Sequence, residues 1–221
     1  MTLICIDGCD GVGKTTQVSL LAERLRAEGR PVYQTKEPGG QNPLSQTIRQ
    51  ILLSPETTIC PPASLCLFLA DRCQNVLEVR KQLAAGAIVI SDRSSYSSFV
   101  YYAAAMVEEG ALEIAAQIAP LLDFAQPIKP DWCFVCNADF EWSRSQLKAR
   151  NQLDRIEQLG DEFHQRTHEF FKPFYLSRLS TQMQNAPERT LHCLPASQHS
   201  KEQICDQIFD ALNLTPVPSQ R

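Results

Sequence analysis

The chain has 221 residues, 43% of them hydrophobic and 21% charged, with a formal net charge of −4. That length and balance fit one globular domain with a full core and exclude an intrinsically disordered chain. The negative balance argues against a general nucleic-acid binder, so an anionic ligand has to be met by a local basic cluster.

Short apolar runs alternate with longer amphipathic stretches. "LICID" (3–7) ends at a glycine and predicts a buried strand. Residues 14–28 carry Val18, Leu20, Leu21, Leu25 and Ala27 on one helical face. "PVYQTKE" (31–37) predicts a second strand, stopped by Pro38-Gly39-Gly40, and a helix follows over 43–53. A longer helix is expected over 62–84, with Leu65, Phe68, Leu69, Cys73, Val76 and Leu77 inward. "AIVISD" (87–92) predicts a third strand, followed by helices over 95–106 and 110–123. "DWCFVCN" (131–137) reads as a fourth strand, with helices at about 139–149 and 160–183 after it. "TLHCLPA" (190–196) reads as a fifth strand, followed by a helix over 200–212. Such alternation means βα units: an α/β fold with a parallel sheet covered by helices on both faces.

Residues 1–214 read as a single domain and 215–221 as a frayed tail. The polar segment at about 148–160, "KARNQLDRIEQLG", is the expected lid. No apolar run approaches the ~18 residues of a membrane span. "MTLICIDG" lacks a charged start followed by a long apolar stretch, so a cytoplasmic location without membrane or nucleic-acid partners is expected. Nine cysteines, an odd number, are scattered along the chain and do not look like a disulfide framework. Cys133 and Cys136 form a C-x-x-C that fits a redox pair, half a zinc site, or two small hydrophobes in a strand. The strand context and the lack of a nearby second ligand pair favour the last.

The strongest chemical signal is Gly8-Cys9-Asp10-Gly11-Val12-Gly13-Lys14-Thr15-Thr16, which matches G-x-x-x-x-G-K-[ST] between a predicted strand and a predicted helix. Its glycines let backbone N–H groups turn toward one point, and the helix N-terminus adds partial positive charge there. Lys14 can reach β- and γ-phosphates, and Thr15 can offer a hydroxyl to Mg²⁺. The pattern predicts nucleoside triphosphate binding and leaves the acceptor open.

Three clusters bear on the acceptor: "TKEPGG" (35–40), "FLADR" (68–72) and "SDRSSYSSFVYY" (91–102). Two of them begin at strand ends, which line the ligand crevice of an open α/β sheet. Phe68 and Arg72, four apart, share a helix face, and an aromatic beside an arginine fork suits a planar base. Taken alone, Phe68 fits the core better than a ligand contact, Arg72 fits a solvated face, and Asp92 a helix cap.

Taken with the cradle, these segments and "ARNQLDRIEQ" resemble the thymidylate kinase family in order and spacing over roughly residues 1–212. The resemblance implies a P-loop NTPase fold with a five-stranded parallel sheet. It also implies transfer of the γ-phosphate of ATP to dTMP with Mg²⁺, giving dTDP for dTTP biosynthesis. It places Asp10 near the acceptor sugar hydroxyl, and Glu37 and Pro38 near the monophosphate. Phe68 would lie on thymine, Arg72 on its carbonyl edge and Ser98 near the base edge. Tyr101 would lie where a ribose 2′-OH would project. Arg93 would bridge the acceptor phosphate and the transferred group, and Asp92 would join Thr15 in organising the metal. Some members carry a basic residue in the loop after its acid. Here that position is Gly11, which assigns the missing charge to Arg150 and Arg155, the bacterial-type arrangement. The chain departs from the family pattern at Ser94, where an aromatic or His is common, and at Tyr102, where many bacterial members have Gln. A homodimer is implied, with the 62–84 helix as a candidate face. The alternatives are a deoxynucleoside kinase, which Arg93 and the E-P-G-G turn argue against, and a nucleotide binder without turnover, which Lys14, Thr15, Asp92 and Arg93 argue against.

Overall fold

The computed structural model describes residues 2–106, 111–150, 152–172 and 191–214. Five strands, β1 (Thr2–Gly8), β2 (Val32–Lys36), β3 (Ile88–Asp92), β4 (Trp132–Asn137) and β5 (Leu191–Pro195), form one sheet in the order β2-β3-β1-β4-β5. Every pairing is parallel. The central strand β1 and its neighbours β3 and β4 are the most buried. All five residues of β3 and six of seven in β1 are buried, as a strand covered on both faces requires.

The helices are α1 (Lys14–Ala27), α2 (Pro43–Leu53), α3 (Pro61–Ala84), α4 (Ser95–Ala105), α5 (Ala111–Ala125), α6 (Phe140–Lys148), α7 (Asp161–Phe170) and α8 (Lys201–Leu212). α1 and α8 pack together on one side, where Arg24 pairs with Asp206 at 2.5 Å and lies over the Phe209 ring. α3, α4, α5 and α7 pack with one another on the other side. Strand and helix ends fall within a residue or two of the sequence expectation, except that the helix expected over 160–183 ends at Phe170; residues 173–183 and the tail 215–221 lie outside the described residues.

Two expectations about buried helix faces also need correction. In α3 the inward stripe is not wholly apolar: Leu77 is 59% exposed, while Asp71, Arg72 and Asn75 are buried beside Leu65, Val76, Val79 and Leu83. The helical repeat carries 72, 75, 76, 79 and 83 along one side and leaves 77 on the other. On α1, Ala27 is exposed at the helix end rather than facing inward. Residues 152–160 of the segment expected as the lid form a compact turn. Asp154 Oδ1 accepts from the N–H groups of Ile156 and Glu157, both at 2.9 Å, and Glu157 Oε2 accepts from the N–H of Asp154 at 3.1 Å. The Arg155 N–H donates to the Leu53 carbonyl at 3.0 Å, docking the turn on the end of α2.

Cys133 and Cys136 are buried, unpaired thiols of β4, and their odd separation puts them on opposite faces of the sheet. Burial pushes the Cys136 thiol up to about 12, so both behave as small hydrophobes.

Candidate active site

Parallel register brings the chemistry together. Ile6 of β1 and Lys36 of β2 both lie beside Asp92 at the end of β3. The loop leaving β1, the E-P-G-G turn leaving β2 and the Asp92-Arg93 pair leaving β3 therefore open onto one crevice. That crevice is a cavity of about 990 Å³, large enough for two nucleotide-sized ligands.

The donor half is the glycine loop. Gly13 precedes α1 in the left-handed region, with φ 89°, which only glycine adopts without cost. At Gly11, with φ 84°, an added Cβ would meet the Ser143 carbonyl at 2.5 Å and Leu147 at 3.1 Å. α6 therefore seals this position against any side chain, which is the physical reason that a basic residue is absent here. Lys14 is buried and donates to the Cys9 carbonyl at 2.5 Å, with Asp10 at 3.9 Å. Burial, then Arg93, lower the Lys14 pKa, while Asp10 opposes them. Gly8, Cys9 and Val12 are buried and form the back of the loop, whereas Asp10, Gly11, Gly13, Lys14, Thr15 and Thr16 line the cavity.

Thr15 and Asp92 meet across the cavity floor, the Thr15 hydroxyl donating to Asp92 Oδ2 at 2.5 Å. Among the described residues no cluster of three or more His, Cys, Asp or Glu side chains could hold a metal. A hydroxyl with one carboxylate suits an ion that keeps water and phosphate oxygens for its remaining positions.

The acceptor half is built around Arg93. Its backbone has φ 86° and its N–H donates to the Ile6 carbonyl at 2.9 Å. The guanidinium pairs with Asp10 and donates to Ser97 Oγ at 2.9 Å, to the Gly8 carbonyl at 3.3 Å and to the Tyr101 hydroxyl at 3.4 Å. Burial alone would raise the Asp10 pKa, but Arg93 and then Lys14 outweigh it and hold the carboxyl at about 2. Burial likewise opposes the Arg93 charge, yet Tyr101, Asp10 and Asp92 more than offset it and raise the Arg93 pKa.

Glu37 and Pro38 line the cavity, and the Glu37–Pro38 peptide is cis. The turn is held from behind by the polar stripe of α3. Asp71 accepts from the Gly39 N–H at 3.1 Å, Asn75 accepts from Thr35 at 3.0 Å, and Arg72 pairs with Glu37 at 2.7 Å. Burial raises the Glu37 pKa against the pull of Arg72.

Arg72 does not line the cavity. It is 2% exposed, and besides Glu37 it donates to Gln126 at 2.7 Å, the Ser94 carbonyl at 2.9 Å and Ser98 Oγ at 2.9 Å. Phe68, Ser98 and Tyr101 face both this cavity and a smaller apolar one of about 310 Å³, which Tyr102 also lines.

Of the two lid arginines, Arg150 lines the large cavity and pairs with Glu157 at 2.6 Å. Arg155 is half-buried and does not line the large cavity. It donates to the Leu52 carbonyl at 2.7 Å and to Ser64 at 3.3 Å, beside the smaller cavity. Within the turn Asp154 lines the large cavity and Arg155 the small one, a difference of direction that spacing does not show.

Sequence reasoning missed Lys36 and Arg49, which add positive charge to the cavity wall. Arg49 donates to the Pro38 carbonyl at 2.7 Å. A basic residue on the helix that follows the E-P-G-G turn was the available signal. It also missed Gln126, whose Oε1 accepts from both Arg72 and the Ser95 N–H.

A glycine cradle on the central strand, facing an arginine from the next strand across one cavity, defines a P-loop phosphotransferase. The family model for thymidylate kinase matches residues 6–194. A thymidylate kinase of Exiguobacterium sp. is 35% identical over 94% of this chain and 92% of its own length. One from Pseudomonas fluorescens (strain SBW25) is 40% identical over 72% of this chain and 75% of its own. The solved structure of the Candida albicans thymidylate kinase superposes with a TM-score of 0.72 at 21% identity, covering 96% of this chain and 91% of that one. The chain belongs to the thymidylate kinase family.

Proposed function

We propose that the protein is an ATP-dependent dTMP kinase. An oxygen of the dTMP 5′-phosphate forms a bond to the γ-phosphorus of ATP, the β–γ bridging bond breaks, and dTDP and ADP leave. The observation that carries this reading is the Arg93–Asp10 pair. It joins the strand end that would grip an acceptor phosphate to the loop that would cradle the donor.

Phosphoryl transfer asks the protein for positioning and charge rather than covalent chemistry. The loop amides and Lys14 would hold the donor phosphates, Lys14 leaving the Cys9 carbonyl to do so. Arg93 would span acceptor phosphate and transferred group, with Arg49 and Lys36 adding charge on the acceptor side. Thr15 and Asp92 would hold Mg²⁺, which when bound neutralises phosphate charge and orients the β- and γ-oxygens. Asp10 and Tyr101 would meet the deoxyribose. Phe68 and Ser98 would meet the base, and Arg72, bonded to Ser98, its carbonyl edge. Of the lid arginines, Arg150 is the one we assign to the transferred phosphoryl.

Among the described residues no helix is long and apolar enough to cross a membrane, and we place the reaction in the cytoplasm. Leu77 on α3 and Leu121 and Phe124 on α5 are 59%, 48% and 78% exposed. α3 and α5 pack against each other, and their exposed apolar side chains support a homodimer, which sedimentation of the intact chain tests.

The deciding experiment offers ATP, Mg²⁺ and each nucleoside monophosphate, with thymidine as a further acceptor. Turnover fastest with dTMP is expected. Faster turnover of dCMP or AMP, or turnover of thymidine without dTMP, would overturn the reading.

A further inference from the structure

Asp7 lies at the end of β1, fully buried, one residue before the glycine loop and outside the motif. Four donors converge on its carboxylate. Oδ1 accepts from the Gly8 N–H at 2.9 Å and from Ser97 Oγ at 2.5 Å. Oδ2 accepts from the Ser94 N–H at 2.9 Å and from Ser94 Oγ at 2.5 Å. Bonds of this kind to a carboxylate are about twice as strong as neutral ones.

Two of these donors belong to the apparatus that holds Arg93. A serine hydroxyl has one proton. Because Ser97 gives its proton to Asp7, its lone pairs face Arg93, whose guanidinium donates to the same oxygen at 2.9 Å. With that proton turned the other way, Ser97 could not accept from Arg93. Meanwhile the Ser94 N–H bond fixes the residue that follows Arg93, where φ is 86°. That left-handed conformation is uncommon for a residue with a side chain and persists when its surroundings over-determine it. Through Gly8 the same carboxylate also holds the first N–H of the donor loop.

We propose that Asp7 is a positioning residue for phosphoryl transfer, setting the Arg93 backbone through Ser94 and the Arg93 guanidinium through Ser97. Donor loop and acceptor clamp are thereby registered to one buried anion. This rests on the reading of Arg93 as the phosphate clamp, so the test separates the two.

Steady-state kcat and KM are measured for the full chain carrying Ser97→Ala, Asp7→Asn, Arg93→Lys and the Ser97→Ala/Arg93→Lys pair, with active fractions matched by ATP-site titration. Ser97→Ala is expected to lower kcat on the order of tenfold, with KM for ATP within about twofold. Asp7→Asn should lower it further, because an amide presents one acceptor to four donors. In the Arg93→Lys background, Ser97→Ala should cost less than about twofold, since the group it orients is gone. An equal loss in both backgrounds would overturn the relay and make Ser97 a direct substrate contact or a purely structural residue. Unimpaired turnover in Arg93→Lys alone would overturn the role of Arg93 and the relay with it. Where Asp7→Asn does not fold, the Ser97 pair of measurements decides.

Discussion

Arg93 and Arg150 face the same cavity under opposite conditions. Arg93 is 19% exposed and held by Asp10, Ser97, Gly8 and Tyr101 before any substrate arrives. Arg150 is 52% exposed, on a surface turn, and its ion-pair partner among the described residues is Glu157. A fork fixed in advance needs no reorganisation at the moment of reaction, which is where electrostatic catalysis gains most. An exposed fork carries its entropy with it, and the open Arg150 end of this pair can turn from the buried Glu157 toward a phosphate. In the function proposed above, the fixed arginine would define the acceptor site and the exposed one would be recruited once the donor is bound.

The contrast breaks first at Arg93. Arg93→Ala should lower kcat by about 10³ or more, because the clamp and the offset for Asp10 go together. A loss below about tenfold would show that preorganisation at this position does not matter. Arg150→Ala should follow with a loss on the order of 10² and little change in unfolding midpoint, as expected for an exposed residue that acts only with substrate present. Arg155→Ala should behave in the reverse manner. Its kcat should change less than about tenfold, while stability falls by about 1 kcal/mol as the Leu52 carbonyl loses its donor. Equal kcat losses for Arg150→Ala and Arg155→Ala would mean that the turn rearranges to bring both into the cavity.

The difference between the regions also explains how much could be read from the sequence. The glycine loop was legible because its chemistry is contiguous: one strand end and one helix start carry Gly8 to Thr15. The sheet was legible because "LICID" and "AIVISD" are too apolar to lie anywhere but its centre. Asp92 and Arg93 could be placed by their strand end alone. Arg72 could not, since its environment is set by Glu37 and Gln126, which stand 35 residues before and 54 residues after it. Leu77 was misplaced because a polar stripe behind the E-P-G-G turn competes with the apolar one for the buried side of α3. Asp7 was hidden for a simpler reason: an acid at the end of a hydrophobic strand reads as a boundary until its four donors are seen in space. In the lid, composition showed charge but not direction, and only the turn around Asp154 separates Arg150 from Arg155.

A smaller effect tests the preorganised side of the comparison without measuring turnover. Burial and the two cations leave the Asp10 carboxyl at about 2, below its ordinary value of 3.8. A depressed acid contributes stability above its unfolded-state pKa and loses that contribution as pH falls toward its folded-state pKa. The window is therefore pH 4 down to pH 2, and the contribution is about 2 kcal/mol. Asp10 is only 9% exposed, so solvent screening removes little of it. In urea titrations followed by circular dichroism at stepped pH, Asp10→Asn should be less stable than the parent near pH 6, and the gap should narrow as pH falls below about 4. A gap that stays constant through that range would mean that Asp10 is not held ionised by Arg93 and Lys14. The acceptor clamp would then not be charge-paired in the resting protein, and the distinction between a fixed and a recruited arginine would lose its physical basis.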